Sequence, residues 1–302
     1  MFSTTISEGK NMPKVSIVTD SCASIPENLL QKLNIRWVPY YIHRGEEVLR
    51  DLVTIKRDEF YQWLPMAEVL PKTASPGPGD YVKTYEDLIH EGAEEIVSIH
   101  MTSKGSGAYQ AAIAAKQMVL EKFPGLKLEV IDTLNVSLCQ GWMVIEAARE
   151  ALRGASFEAV IERVKSIIPG AQMLQTADTL KYLYMGGRLG RAKHLLASML
   201  NIKPIIGMED GVIVALGQTR TLRRVYQRIV DIIEENVGAK GKIKIAYVHA
   251  SAAEEAEKLK GMVEERLTCV ESLMAELSPA LGVHSGPGTV GVCYFPILEE
   301  SA

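Results

Sequence analysis

The chain has 302 residues, 47% hydrophobic and 23% charged, with Gly 24 and Pro 13 spread along it; this excludes disordered, collagenous and coiled-coil chains and suffices for two domains with their own cores. A formal net charge of -4 gives no electrostatic basis for holding a phosphate backbone, so nucleic acid is not an expected partner. Aromatic residues make up only 6%, so the apolar fraction is mostly aliphatic and base-stacking platforms are scarce.

Residues 1–13 are polar and show no periodicity, which predicts a disordered leader. Val15-Ser-Ile-Val18 is a short apolar strand ending in Thr19-Asp20-Ser21, and Ser24-Ile-Pro-Glu27 has the pattern of a capping box opening a helix to about Leu33. Ile35 to Ile42 predicts a second strand and Arg57 to Leu64 a helix. Leu70 to Gly79, with three prolines and two glycines, predicts a loop without regular structure. A helix from Asp80 to His90, a strand from Glu95 to His100, a Gly/Ser loop and a helix from about Ser106 to Lys122 follow. A strand from Lys127 to Ile131 and a long helix from Val136 to Arg153 extend the series. This alternation argues for an α/β fold with mostly parallel sheets.

After a helix from Phe157 to Ile167, Pro169-Gly170 marks a boundary, giving an N-terminal unit of 14–168 and a C-terminal unit of 169–302, with segments free to cross between them. The second half is expected to hold a strand Ala171 to Thr176, a short helix Asp178 to Tyr184, a turn Met185 to Arg188 and a helix Arg191 to Leu200. A hairpin is expected around Glu209-Asp-Gly211, then a helix Leu222 to Asn236 and a strand Lys242 to Val248. A capping box at Ser251 to Glu254 opens a helix to Leu267, and strands near Cys269 to Met274 and Thr289 to Phe295 end the chain. Leu277 to Leu298 carries no Asp, Glu, Lys or Arg, but its prolines and glycines exclude a membrane helix. Cys22, Cys139, Cys269 and Cys293 form no C-x-x-C pair and read as reduced thiols, which with the absence of a signal pattern predicts a cytoplasmic location.

No Walker A, H-E-x-x-H or G-x-S-x-G is present, and the six histidines lack metal-ligand spacing, so neither metal nor cofactor is expected. Gly286-Pro-Gly-Thr-Val-Gly291 satisfies G-x-G-x-x-G but precedes a strand, whereas a dinucleotide site needs those glycines to open a helix. What remains is a set of small-polar loops. Ser106, near a helix start, is either an N-cap or part of an anion site suited to phosphate or carboxylate. Thr73, in the Pro-stiffened loop, is a second hydroxyl donor or a solvated threonine. His284 sits in the Gly/Pro-rich stretch Gly282 to Gly288, predicted as a rigid loop, and Arg188 follows two glycines in a turn, where its fixed charge faces an anion, a partner or solvent. Asp20 ends the first strand, at the edge where open α/β sheets place ligands.

Six segments in order resemble the DegV family of bacterial fatty-acid-binding proteins: Val15 to Ser21, Leu70 to Gly79, Ser103 to Gln110, Asp178 to Arg188, Asn201 to Pro204 and His284 to Gly288. The resemblance spans about Pro13 to Phe295, departing at Ala108, where the family commonly has threonine. It implies two α/β domains with a long-chain fatty acid such as palmitate buried between them, and a non-catalytic role as acyl-binding partner of an ATP-dependent fatty-acid kinase. It also implies that Thr73 and Ser106 donate to the carboxylate, that Arg188 and His284 complete the head-group network, and that Gly107 lets the backbone approach closely. Two other readings stay open. One is an enzyme acting on a carboxylated or phosphorylated small molecule, with Ser106 as anion site, His284 as acid/base and Asp20 as a further carboxylate. The other is an interaction protein with an exposed apolar patch and no closed cavity.

Overall fold

Parallel strands covered on both faces must be apolar throughout, and the first strand of the chain, β1 (Val15–Asp20), has all six residues buried. The computed structural model describes residues 13–198, 202–238 and 241–297, so the expected leader lies, but for Pro13, outside the described residues. After β1 come β2 (Arg36–Val38), β3 (Tyr41–Arg44), β4 (Glu47–Arg50), β5 (Lys72–Ala74), β6 (Glu95–His100) and β7 (Lys127–Asp132). The second half holds β8 (Gln172–Thr176), β9 (Lys203–Glu209), β10 (Val212–Thr219), β11 (Lys242–His249), β12 (Thr268–Glu276) and β13 (Val290–Pro296).

One sheet has the order β2-β1-β6-β7 and is parallel throughout, as the alternating pattern predicts. A second sheet has the order β10-β9-β8-β13-β11-β12, with a small third one, β4-β3-β5, beside them; in the second the expectation of mostly parallel pairing gives way, and only β11 and β12 run parallel. The reason lies in the connections. β11 reaches β12 through the helix Ala253–Arg266, a βαβ crossover, whereas β9 turns directly into β10 at Asp210 and Gly211, whose φ values of 49° and 75° make the tight hairpin. β13, the last strand among the described residues, inserts antiparallel between β8 and β11.

Other expectations are corrected at particular residues. The stretch Ile35 to Ile42 is two strands in different sheets, broken at Pro39, which has no N–H for a ladder. The loop Leu70 to Gly79 contains β5, which pairs with β3 beside the β3–β4 hairpin, and the next helix starts at Pro78, a favoured first-turn position for proline. Neither capping box forms. Ser24 adopts φ 52° and its hydroxyl accepts from Ser278 N (3.0 Å), while Ser251 sends its N–H to Glu276 (3.1 Å). Both serines serve partners more than twenty residues away instead of the adjacent helix. Residues Gly190–Ser198 form 3-10 turns in place of the helix expected to Leu200, whose last residues lie outside the described ones.

The helix Leu138–Leu152 joins the halves. Twelve of its residues are buried, as befits a helix apolar all round, and it packs against β1, β6 and β13. Its Trp142 indole donates to Cys293 O (3.1 Å) and its Gln140 amide to Thr19 Oγ1 (3.0 Å). One apolar cluster accordingly runs from Val15 and Ile17 through Trp142 to Val248 and Phe295.

The short helix Pro279–Ser285 is held at its start by a residue from the first half: Ala280 N donates to Asp51 Oδ1 (3.2 Å). Burial raises the Asp51 carboxyl to about 6, against the lowering effect of its hydrogen bonds and of Arg57. A carboxyl raised in the fold above its ordinary value of about 4 stabilises most below that value, and the contribution is lost as pH rises through about 6. Asp51→Asn keeps the acceptor for Ala280. Urea unfolding should give equal stabilities for the two proteins near about pH 4 and a variant more stable by up to about 3 kcal/mol above about pH 7; a gap that does not widen with pH would refute this account.

Candidate functional site

Each strand of the parallel sheet delivers a loop from its carboxyl end to the same place. Tyr40 follows β2, Cys22 follows β1, Thr102 and Lys104 to Gly107 follow β6, and Val136 and Ser137 follow β7; all line one cavity of about 410 Å³. Ligands of open α/β sheets lie at that edge, and small-molecule cavities run from roughly 300 to 1,000 Å³. The opposite wall comes from β8, β9, the β9–β10 turn, the Gly187 to Gly190 segment and the helix Pro279–Ser285. Thr102 Oγ1 closes one side by donating to Gly211 O (2.9 Å). Met101, Val136, Met173, Ile206 and Met208 make much of the lining apolar, and no Asp or Glu is among the described residues that line it.

Thr73, Ser106, Gly107, Arg188 and His284, picked out separately in the sequence, all line this cavity. Thr73 is the central residue of β5, and its Oγ1 lies 2.7 Å from His284 Nε2, joining residues 211 positions apart. His284 is in the helix Pro279–Ser285 and not in a loop, because Pro279 opens that helix and Gly286, at φ 75°, ends it. Burial, and then the nearby Arg188 charge, depress the imidazole to about 4, so it is neutral at physiological pH. Its buried Nδ1 has no hydrogen-bond partner, and Gly186 packs so close that a β-carbon there would overlap it.

Ser106 precedes the helix Ala108–Lys122, whose N-cap is Gly107, and its Oγ accepts from Ala108 N (3.3 Å). Tyr40 OH lies 2.6 Å from the same oxygen, and Tyr40 is itself placed by its N–H donating to Ser21 Oγ (3.1 Å). A β-carbon on Gly107 would come within 3.3 Å of Ser75 Oγ. Arg188 is exposed at the rim and donates to Gly186 O (2.5 Å), with no carboxylate partner among the described residues. Lys104 is a second exposed cation on the lining.

Asp20 does not line the cavity. It is fully buried, with Oδ1 accepting from Cys22 N (3.0 Å) and Oδ2 3.0 Å from His100 Nδ1, whose other nitrogen lies 2.7 Å from Ser98 Oγ. Its oxygens are used in holding the turn after β1, which removes the carboxylate from the enzyme reading. Tyr40, Ser75, Lys104 and Ser137 were missed by sequence reasoning. Tyr40 sits beside Pro39 in what reads as a strand, and the others are polar residues in ordinary loop contexts.

Fold and cavity together define a two-unit α/β protein with a partly open, mainly apolar cavity between its sheets. The model of the DegV family, described as an uncharacterised protein family, matches residues 14–297, and the chain belongs to that family. A DegV domain-containing protein of Halalkalibacterium halodurans is 32% identical over 284 residues, covering 94% of this chain and 99% of the relative. Among solved structures, a Thermus thermophilus DegV family protein described by its fatty acid binding superposes with a TM-score of 0.88 at 29% identity, covering 94% of this chain and 100% of that one. DegV of Bacillus subtilis, described as a fatty acid binding protein, gives 0.83 at 27%, covering 94% and 99%. A stearic acid-binding protein of Eubacterium ventriosum gives 0.83 at 27%, covering 93% and 98%.

The neutral state of His284 is directly measurable. In a histidine-edited NMR titration its midpoint should fall near 4, and Arg188→Ala should raise it while leaving it below the ordinary 6.5, because burial outweighs the charge. A wild-type midpoint at or above 6.5 would contradict this site geometry.

Proposed function

We propose that the protein binds a long-chain fatty acid such as palmitate in this cavity and, with no catalysis of its own, presents the carboxylate to an ATP-dependent fatty-acid kinase in the cytoplasm. The observation that carries the reading is the make-up of the lining: methionine and aliphatic side chains together with the Thr73–His284 and Tyr40–Ser106 pairs and Arg188, with no acidic residue among the described residues that line it. The fatty-acid descriptions of the similar Thermus thermophilus, Bacillus subtilis and Eubacterium ventriosum structures support it.

The energetics agree. Burying about 14 methylenes at roughly 0.8 kcal/mol each gives a gross gain of about 11 kcal/mol, from which association and chain ordering subtract. A carboxylate enters such a site only against donors, and Thr73, Ser106, the first N–H groups of the helix Ala108–Lys122 and Arg188 are groups of that kind. Gly107 lets the chain's own backbone approach the head group. A neutral His284 keeps a lone pair or a proton for Thr73 without adding a second buried charge.

Mass spectrometry of material extracted from the purified protein should find a long-chain acyl species, and palmitate should raise the melting temperature. Absence of both results would overturn the proposal. Against the carboxyl-free analogue hexadecanol, wild-type protein should prefer palmitate, and Thr73→Ala, Ser106→Ala and Arg188→Ala should each cut that preference about tenfold, read by displacement of a fluorescent fatty acid. The same variants should slow acyl-phosphate formation when kinase and ATP are supplied.

A further inference from the structure

A hydroxyl has one proton to give, and what the Thr73 hydroxyl can do for a ligand depends on where that proton points. Thr73 Oγ1 and His284 Nε2 lie 2.7 Å apart, and the Thr73 hydroxyl makes no other hydrogen bond among the described residues. Burial disfavours the charged ring, so the imidazole carries a single proton, on Nδ1 or on Nε2. The contact then has two forms. With the proton on Nδ1, Thr73 spends its own on the ring; with the proton on Nε2, the ring donates to Thr73 Oγ1.

The far nitrogen decides between them. Nδ1 is shut off from solvent and bonds nothing among the described residues, and Gly186 is wedged so close that a β-carbon there would overlap it. Gly186 has nothing to spare for the ring, since its N–H donates to Tyr182 O (2.9 Å) and its carbonyl accepts from Arg188 Nη1 (2.5 Å). A proton on Nδ1 would therefore be a buried donor without an acceptor, beyond the reach of a ligand as well. Orphaned buried N–H groups are rarer in native proteins than unused lone pairs, which favours the proton on Nε2. Thr73 then keeps its own proton, with no acceptor for it in the protein. Its side chain is turned to the cavity by strand alternation: Thr73 and Ser75 line the cavity, and Ala74 between them does not.

We propose that His284 is a positioning residue held in the Nε2–H tautomer, which does not touch the ligand but donates to Thr73 and so commits the Thr73 proton to an acceptor oxygen in the cavity. This rests on the fatty-acid reading above and deepens it. An ionised carboxylate only accepts, and a charged acceptor makes the stronger bond; an alcohol is a weaker acceptor and brings a proton that needs a partner elsewhere.

Two measurements on the full chain test this. In a two-bond 1H–15N spectrum of histidine-labelled protein at neutral pH, the His284 signals, assigned by their loss in His284→Leu, should show a protonated Nε2 and an unprotonated Nδ1. The reverse pattern overturns the proposal. In displacement of a fluorescent fatty acid, His284→Leu should cut the preference for palmitate over hexadecanol about tenfold, and His284→Gln, whose amide can donate in place of Nε2, should keep most of it. Made in a Thr73→Ala background, His284→Leu should cost nothing further, because the histidine acts only through Thr73. A second tenfold loss there would mean that His284 meets the ligand itself, which refutes the positioning role while fatty-acid binding stands. If wild-type protein binds palmitate no better than hexadecanol, the carboxylate reading of the site falls, and the role of His284 with it.

Discussion

A fifteen-residue helix with apolar residues on every side has no stable place at a protein surface, and that constraint organises this molecule. Leu138–Leu152 is satisfied only when the parallel sheet covers one side and the mixed sheet another, so the two halves are bound by a shared element more than by an interface between finished domains. Where the helix turns outward it becomes ionic. Burial would raise the pKa of Glu146, but hydrogen bonds from Lys244, Arg163 and Arg149 hold it near 2, and Arg149 and Lys244 also reach Glu271. Charges on β11, β12 and two helices thus meet in one network. The opposite end of the same helix opens at the cavity floor.

The cavity follows from that arrangement. Four parallel strands end at one level, their loops point at the second sheet, and the space between is too apolar for free charges. The polar groups admitted there are hydroxyls, the Gln175 amide, an imidazole kept neutral, and the exposed cations Arg188 and Lys104. Behind them stands a buried support. Asp20 and His100 fix the turn after β1, Ser21 in that turn accepts from Tyr40, and Tyr40 sets the hydroxyl of Ser106. The Asp20 carboxylate acts at a distance, through position.

Much of this was legible in the sequence, for reasons that differ from residue to residue. Strands such as β1 and β6 announce themselves by short β-branched apolar stretches, Val15 to Val18 and Ile96 to Ile99, each interrupted by one serine, and the β9–β10 hairpin because Asp210-Gly211 favours positive φ. The site residues stood out as small polar groups between Gly and Pro. Long-range competition hid the rest. Ser24 and Ser251 carry the local signature of helix caps, but distant partners take their polar groups, and β5 pairs only because β3 lies beside it. Tyr40 gains its significance from what the fold brings near it. The antiparallel insertion of β13 depends on a sheet most of which precedes it in the chain.

The helix Pro279–Ser285 is fastened at its start by Asp51 and Ser24, and it carries the histidine that meets Thr73. A chain emerging from the ribosome therefore presents its parallel sheet, its Thr73 and its Ser106 long before it has the opposite wall of the cavity, because that wall is completed by the helix Pro279–Ser285 and β13 must still slot between strands already made. Any ligand bound across that seam favours the finished molecule over every partly folded one. Occupancy thereby reports that both walls of the cavity have been assembled.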